Sequence, residues 1–241
     1  MRLDKYLADM TEYSRSDIKK LLKEKRITVN GEISLKADLK VSNEDAIFID
    51  DEQIIYEQYE YYLLNKPAGY LCTLDYSPNV VELIDSPRRD LSPVGRLDKD
   101  TEGLILITND GQLNHRLLAP KHHVDKTYYV ETDVRIPAEA IRTFCKPMEF
   151  SDFTSEPATL NILDNNKATL TIHEGKFHQV KRMFQKIGCE VTYLKRISFA
   201  FLNLGDLKTS EYRRLTDEEI EKLKALIMSA FYSNMLMDLR S

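Results

Sequence analysis

Apolar residues at Leu3, Tyr6, Leu7 and Met10, and again at Ile18, Leu21 and Leu22, recur at helical spacing and predict two short helices with a polar break between them. Ser14 stands where an N-cap would open the second helix, and Asp17 falls at the capping-box position three residues on. Ile27-Thr28-Val29 then reads as a strand, Asn30-Gly31 as a tight turn, and Glu32–Leu35 and Ala46–Ile49 as further short strands. Residues 1–55 therefore predict a small module of two helices followed by strands, closing in the acidic stretch Asp50–Glu60.

From 60 to 230 the pattern changes repeatedly between strand and helix periods. Strands are predicted at Tyr61–Asn65, Gly103–Thr108, Lys126–Thr132, Ala158–Leu163, Ala168–His173 and Glu190–Arg196, with Asp164-Asn165-Asn166 as a hairpin turn. Helices are predicted at Gln112–Leu118, Ala138–Cys145 and Phe177–Ile187, the last with Val180, Met183, Phe184 and Ile187 on one stripe and Gly188 at its end. Thr216 through Glu219 is a second capping box, opening a helix that buries Ile220, Leu223, Leu226 and Ile227. The whole is α+β, with a mixed, largely antiparallel sheet in the larger region. A tail, 231–241, with Phe231, Tyr232, Met235 and Leu236 in or before its middle, would pack on the domain or on a partner.

Composition narrows the class. A chain of 241 residues holds one large and one small domain, and 42% hydrophobic residues suffice for a core. The longest apolar runs, Tyr61–Leu64 and Leu104–Ile107, are strand-sized, so no membrane span is expected. Charge interrupts Met1-Arg2-Leu3-Asp4-Lys5, so no secretory signal is expected either. Cys72, Cys145 and Cys189 are far apart and odd in number, as befits buried thiols in a reducing cytoplasm rather than a disulfide framework or a metal cluster. The net charge of −5 argues against a uniformly basic nucleic-acid binder, but the charge is unevenly spread. Val41–Glu60 holds seven acidic and no basic residues; Ser14–Arg26 holds six basic against two acidic. Lys176–Arg196 holds seven basic side chains, His178 included, against Glu190 alone. Either basic run by itself is most simply a solvated helix face.

The candidate chemistry lies in Gly95-Arg96-Leu97-Asp98-Lys99-Asp100-Thr101-Glu102-Gly103, a polar loop bounded by glycines that runs straight into the apolar strand Leu104–Ile107. A strand fixes such a loop and anything reactive on it. From spacing alone, Asp98 and Asp100 would do no more than cap a turn. Neither a glycine-rich dinucleotide fingerprint, nor a P-loop, nor a zinc-ligand spacing occurs. His122 and His123 are adjacent, and His115 and His173 stand alone, so all four read as structural.

Two resemblances extend this reading. Met1–Leu7, Ser14-Arg15-Ser16 and Arg26-Ile27-Thr28-Val29-Asn30-Gly31 resemble the S4 RNA-binding domain. That likeness implies that Arg15, Lys19, Lys23 and Arg26 meet RNA phosphates; a helix-turn-helix reader fits less well, because the strand turn follows too early. The Gly95–Gly103 loop with Thr108-Asn109-Asp110-Gly111 resembles the active-site loop of the RsuA family of pseudouridine synthases. So do Asn65-Lys66-Pro67-Ala68-Gly69, Lys126-Thr127-Tyr128, the run Glu174–Met183 and Tyr212-Arg213-Arg214-Leu215-Thr216, in family order over nearly the whole chain. The resemblance implies Asp98 as nucleophile and general acid–base group, Lys181 as its charge partner and Tyr128 against the uracil ring. It also implies Arg96 in the gap left by an extruded base, with Lys176, His178 and Arg182 on the RNA backbone or in the framework. No cofactor and no metal are implied. The expected partner is ribosomal RNA, by the form of the motifs that of the small subunit (16S) or an assembly particle, met by a cytoplasmic monomer. One departure is Lys181, where many relatives have arginine; lysine keeps the charge without the bidentate fork. Two rival readings are a non-catalytic S4-bearing RNA-binding or ribosome-assembly factor, which loss of Asp98, Tyr128 or Lys181 would favour, and a hydrolase in which Asp98 and Asp100 are both essential.

Overall fold

The computed structural model describes residues 1–238. By its contacts the chain falls into two units, one of Met1–Glu60 with Asp85–Leu91, the other of Tyr61–Ile84 with Ser92 onward. The first unit contains α1 (Leu3–Met10), α2 (Arg15–Lys23), β1 (Ile27–Val29), β2 (Glu32–Ile33), β3 (Ile47–Ile49) and β4 (Glu52–Gln53). The capping box at Ser14 and Asp17 is formed in both directions, which ties down the first turn of α2. Asn30 and Gly31 both have positive φ, 53° and 84°, the turn that matches the twist of a two-residue hairpin between β1 and β2. Leu3, Tyr6, Leu7, Ile18, Leu21, Leu22, Ile27 and Ile47 close the core. Arg88, from the returning segment, is buried, forks onto Asp90 at 2.9 and 2.7 Å and donates to the Glu57 carbonyl at 3.2 Å. No sequence pattern announced this return.

The second unit contains β5 (Tyr61–Lys66), β6 (Ser92–Pro93), β7 (Glu102–Thr108), α3 (Gly111–Leu118), β8 (Lys126–Thr132), α4 (Ala140–Phe144), β9 (Met148–Glu149), β10 (Thr154–Ser155), β11 (Thr159–Asp164), β12 (Lys167–Ile172), α5 (Gln179–Lys186), β13 (Val191–Phe199), β14 (Leu202–Asn203), β15 (Tyr212–Arg214) and α6 (Asp217–Asp238). Its nine-stranded sheet runs β11-β12-β8-β13-β7-β5-β15, with β14 on β13 and β6 on β7. Every pair is antiparallel except β7 with β13. Tyr61, Leu63, Leu104 and Leu106 of the central strands pack with Leu113 and Leu117 of α3 and Leu223 and Ile227 of α6. The capping box of α6 is present, Thr216 N donating to Glu219 at 2.9 Å and Glu219 N to the Thr216 hydroxyl at 3.2 Å. The helix runs on through most of the stretch read as a tail; how the tail's side chains pack lies outside the described residues.

Three differences from the sequence reading have local causes. The helix expected from Phe177 begins at Gln179, because His178 takes a left-handed conformation (φ 51°) and breaks the turn before it. β9, β10 and β15 are too short to show a strand period. Cys145 is exposed, because Phe144 and not its neighbour fills the buried position of the short α4; Cys72 and Cys189 are buried as expected. Among the described residues no helix is long and apolar enough to cross a membrane.

Candidate active site

Asp98 sits on a loop whose backbone is fastened from below. Lys66, the last residue of β5, is fully buried, and its ammonium donates to the carbonyls of Thr101 (2.7 Å), Lys99 (3.2 Å) and Pro67 (3.1 Å). Gly69 N donates to the Lys99 carbonyl at 2.7 Å, and Thr101 N to the Asp98 carbonyl at 3.1 Å. Burial lowers the pKa of Lys66, opposed by the nearby Cys72, Asp100, Glu102 and Asp98. An ammonium held by the Lys99 and Thr101 carbonyls fastens the loop backbone just after Asp98 and ties it to the end of β5 through Pro67.

The loop enters β7 at Glu102 and Gly103, which pair with Lys195 and Arg196 of β13 in the parallel register. Arg196 is one of the largest fully buried side chains. Its Nε donates to the Leu104 carbonyl at 2.6 Å, and its guanidinium lies 5.4 Å from the Phe199 ring centre. The basic run Lys176–Arg196 is therefore less of an RNA face than its charge count implied, since Arg196 is committed to the interior.

Strand alternation in β8 buries Lys126, Tyr128 and Val130 on one face, and pairing sets Tyr128 between Leu170 and Arg196. Lys126 donates to the Val124 carbonyl at 2.7 Å, and burial pulls its pKa from 10.5 down to about 8, with Arg196 adding to the effect. The folded value lies below the unfolded one, so between pH 8 and 10.5 the unfolded chain binds more protons and folding gains as pH rises. Relative to Lys126→Met, wild type should therefore gain up to about 1.4 kcal/mol of unfolding free energy per pH unit in that window and nothing below pH 7. Chemical denaturation across pH reads this; parallel curves would show that Lys126 keeps an ordinary pKa.

α5 buries Val180, Met183 and Phe184, and Phe184 meets Phe144 edge to face at 5.2 Å, which fixes the helix's rotation. Lys181 is thereby turned toward the loop. Its Nζ lies 3.3 Å from Asp98 Oδ2 and 2.6 and 2.9 Å from the two Asp100 oxygens. Burial lowers its pKa, but the hydrogen bond to Asp100 and the charges of Asp98 and Asp100 outweigh it, and the net shift is upward. The Lys181 hydrogen bond in turn holds the Asp100 carboxyl below its usual range. His178 Nε2 approaches Asp98 Oδ1 at 3.6 Å.

Arg96, Asp98, Tyr128, Lys176, His178 and Lys181 line one cleft of about 740 Å³. Sequence reasoning paired Lys181 with Asp98 alone; the lysine bridges Asp98 and Asp100, with its shorter contacts to Asp100. Arg182 turns away from the cleft, forking onto Asp152 at 2.5 and 3.1 Å with its guanidinium 5.0 and 4.7 Å from the Phe150 and Phe153 rings. On the other unit, Arg15, Lys19 and Lys23 are exposed along α2, whereas Arg26 lies beyond the helix and forks onto Asp50 at 2.9 and 2.7 Å. Lys66, Lys126 and Arg196 were not singled out from sequence, although each stands in a motif or run that was.

Residues 60–186 match the family model described as RNA pseudouridylate synthase, and residues 1–47 match the S4 domain. The chain is 39% identical to the "Ribosomal small subunit pseudouridine synthase A" of Haemophilus influenzae, covering 92% of this chain and 99% of that one. It is also 39% identical to the protein of the same description from Escherichia coli K12, over 91% and 98% of the two chains. A crystal structure described as a pseudouridylate synthase superposes with a TM-score of 0.67 at 38% identity, covering 92% of this chain and 99% of that one.

Proposed function

We propose, because this chain belongs to the RNA pseudouridylate synthase family and carries an S4 domain ahead of the catalytic part, that it isomerises a uridine of small-subunit ribosomal RNA with Asp98 as nucleophile. The observation that carries the assignment is the Asp98 carboxylate, 3.3 Å from the Lys181 ammonium in a cleft that also holds Tyr128. In the reaction the C1′–N1 glycosidic bond breaks and a C1′–C5 bond forms. The C5 proton is lost and N1 gains one, so nothing is added and no electrons are exchanged; a cofactor has no task in that balance.

In this reading the target base leaves the RNA stack and enters the cleft, and Arg96 on the rim takes the vacated place. Asp98 attacks the extruded uridine, with the Lys181 ammonium 3.3 Å away aligning the carboxylate. Tyr128, buried on β8, packs on the uracil ring. Lys176 and His178 contact the backbone near the cleft, while the geometry of Arg182 favours a framework role. The substrate class comes from the relatives' descriptions, which specify the ribosomal small subunit. We read the enzyme as a cytoplasmic monomer with separate domains at 1–55 and 60–230. Its test is a chemical pseudouridine probe applied to ribosomal RNA from a strain lacking the gene. One small-subunit uridine should escape conversion, and restoring the gene should convert it again; an unchanged pattern would refute the assignment.

The S4 part makes its own prediction. Arg15, Lys19 and Lys23 recur every fourth residue along one exposed face of α2 and are the side chains we place on phosphate. Replacing all three by Ala should reduce the log–log salt slope of binding to a small-subunit rRNA transcript by roughly 2 to 3, since each phosphate contact contributes about 0.7 to 0.9. Turnover at saturating RNA should hold. A salt slope equal to wild type would take these residues off the RNA.

A further inference from the structure

We infer that Phe177 is a stacking platform for a nucleobase flanking the extruded uridine, an inference that rests on the reading of the cleft as an RNA site. Phe177 lines that cleft and is 67% exposed, although its side chain is large and apolar. A lone exposed phenylalanine needs no explanation. This one is stacked on the His178 ring, centroids 3.8 Å apart and planes inclined by 20°, and Nε2 of that histidine lies 3.6 Å from Asp98 Oδ1. The exposed phenylalanine is thus linked through one imidazole to the reactive carboxylate.

The platform is rigidly built. His178 adopts the left-handed conformation, φ 51° and ψ 29°, which is uncommon outside glycine and turns the ring pair out of the path of α5. Beneath it, buried Gln179 accepts from Lys176 N at 3.0 Å and donates to Glu174 at 2.8 Å, and the same Glu174 oxygen accepts from Glu156 N at 2.8 Å. The segment that carries the exposed ring is therefore anchored at both ends. A fixed flat apolar face in a cleft that basic Lys176 and Arg96 also line is what an unstacked base requires. Extruding a uridine leaves its neighbours without a stacking partner, and Phe177 receives one of them while Tyr128 serves the uracil deeper in the cleft.

The test compares the full-length wild type with Phe177→Ala, Phe177→Leu and Phe177→Trp in binding to three decamers: decauridine, a strand with one central uridine among abasic residues, and a wholly abasic strand. Phe177→Ala and Phe177→Leu should each lose about tenfold in affinity for decauridine and nothing on the two abasic strands, while Phe177→Trp restores the affinity. Wild type and Phe177→Ala binding decauridine alike, weakly or not at all included, would overturn the platform. A loss that persists on the single-uridine strand would assign the ring to the target uracil and overturn the flanking position; a loss on all three strands would make it structural. Tritium release from small-subunit rRNA labelled at uridine C5 is followed separately, so that failure of the enzymatic reading is distinguished from failure of the platform.

Discussion

Asp98→Asn removes turnover: tritium release from C5-labelled small-subunit rRNA falls by at least about 10⁴-fold, with RNA affinity within a few-fold of wild type. The substitution changes an anion to a neutral amide of nearly the same shape, so the carboxylate nucleophile is lost and little else. The surroundings favour a clean outcome. Lys181 makes its shorter contacts to Asp100, which stays charged, so the ammonium keeps its place when Asp98 is neutralised. The loop backbone is gripped by the Lys66 ammonium and does not depend on the Asp98 side chain. Asp100→Asn is the matching control. It leaves the nucleophile and loosens Lys181, and turnover should drop by roughly tenfold, as for a lost charge-assisted hydrogen bond of a few kcal/mol that is only partly realised in the transition state. Equal loss in the two variants would favour a carboxylate-pair hydrolase; appreciable turnover by Asp98→Asn would remove the aspartate from the mechanism.

What was legible in the sequence follows from where local signals dominate. Strand β8 and the capping boxes at Ser14 and Thr216 were placed to the residue because alternation and side-chain-to-backbone bonds are local. The proximity of Asp98, Tyr128 and Lys181 was expected only through the family likeness, since nothing near any of them in the chain brings the three together. Lys66 shows the limit most clearly. Its neighbours Asn65 and Pro67 marked a motif, but a buried lysine is improbable on composition grounds, and only the convergence of three carbonyls on one ammonium gives it a task. Arg196 is the converse: counted with a basic surface run, it is interior because β13 bulges between Arg196 and Ser198 and brings the arginine over Phe199. A long-range pairing decides that, and charge patterning carries no trace of it.

The pairing of β7 with β13 leaves no room for a side chain at Gly103. It follows the Asp98 loop at the start of β7, with φ at +105°, and a Cβ built there would lie 2.2 Å from the Arg196 carbonyl oxygen and 2.7 Å from its nitrogen. Both contacts are backbone atoms, so no side-chain rotation relieves them. Gly103→Ala must either part the parallel strands β7 and β13 or swing the chain to an ordinary φ, and each route moves the residues on either side. Strain at a left-handed position costs about 1–3 kcal/mol and overpacking about as much again. For a unit of this size the melting temperature should fall by roughly 10 °C. Activity should fall further than stability explains. Thr101 and Glu102 join Gly103 to the loop, so the shift is passed to Asp98, and a displacement of about 1 Å in a catalytic group costs about 100-fold. Measured well below its own melting temperature, Gly103→Ala should therefore show kcat reduced by about that factor, while Asp98→Asn melts with wild type and is inactive. If Gly103→Ala instead melts and turns over like wild type, the close approach of β7 to β13 does not set the position of the nucleophile.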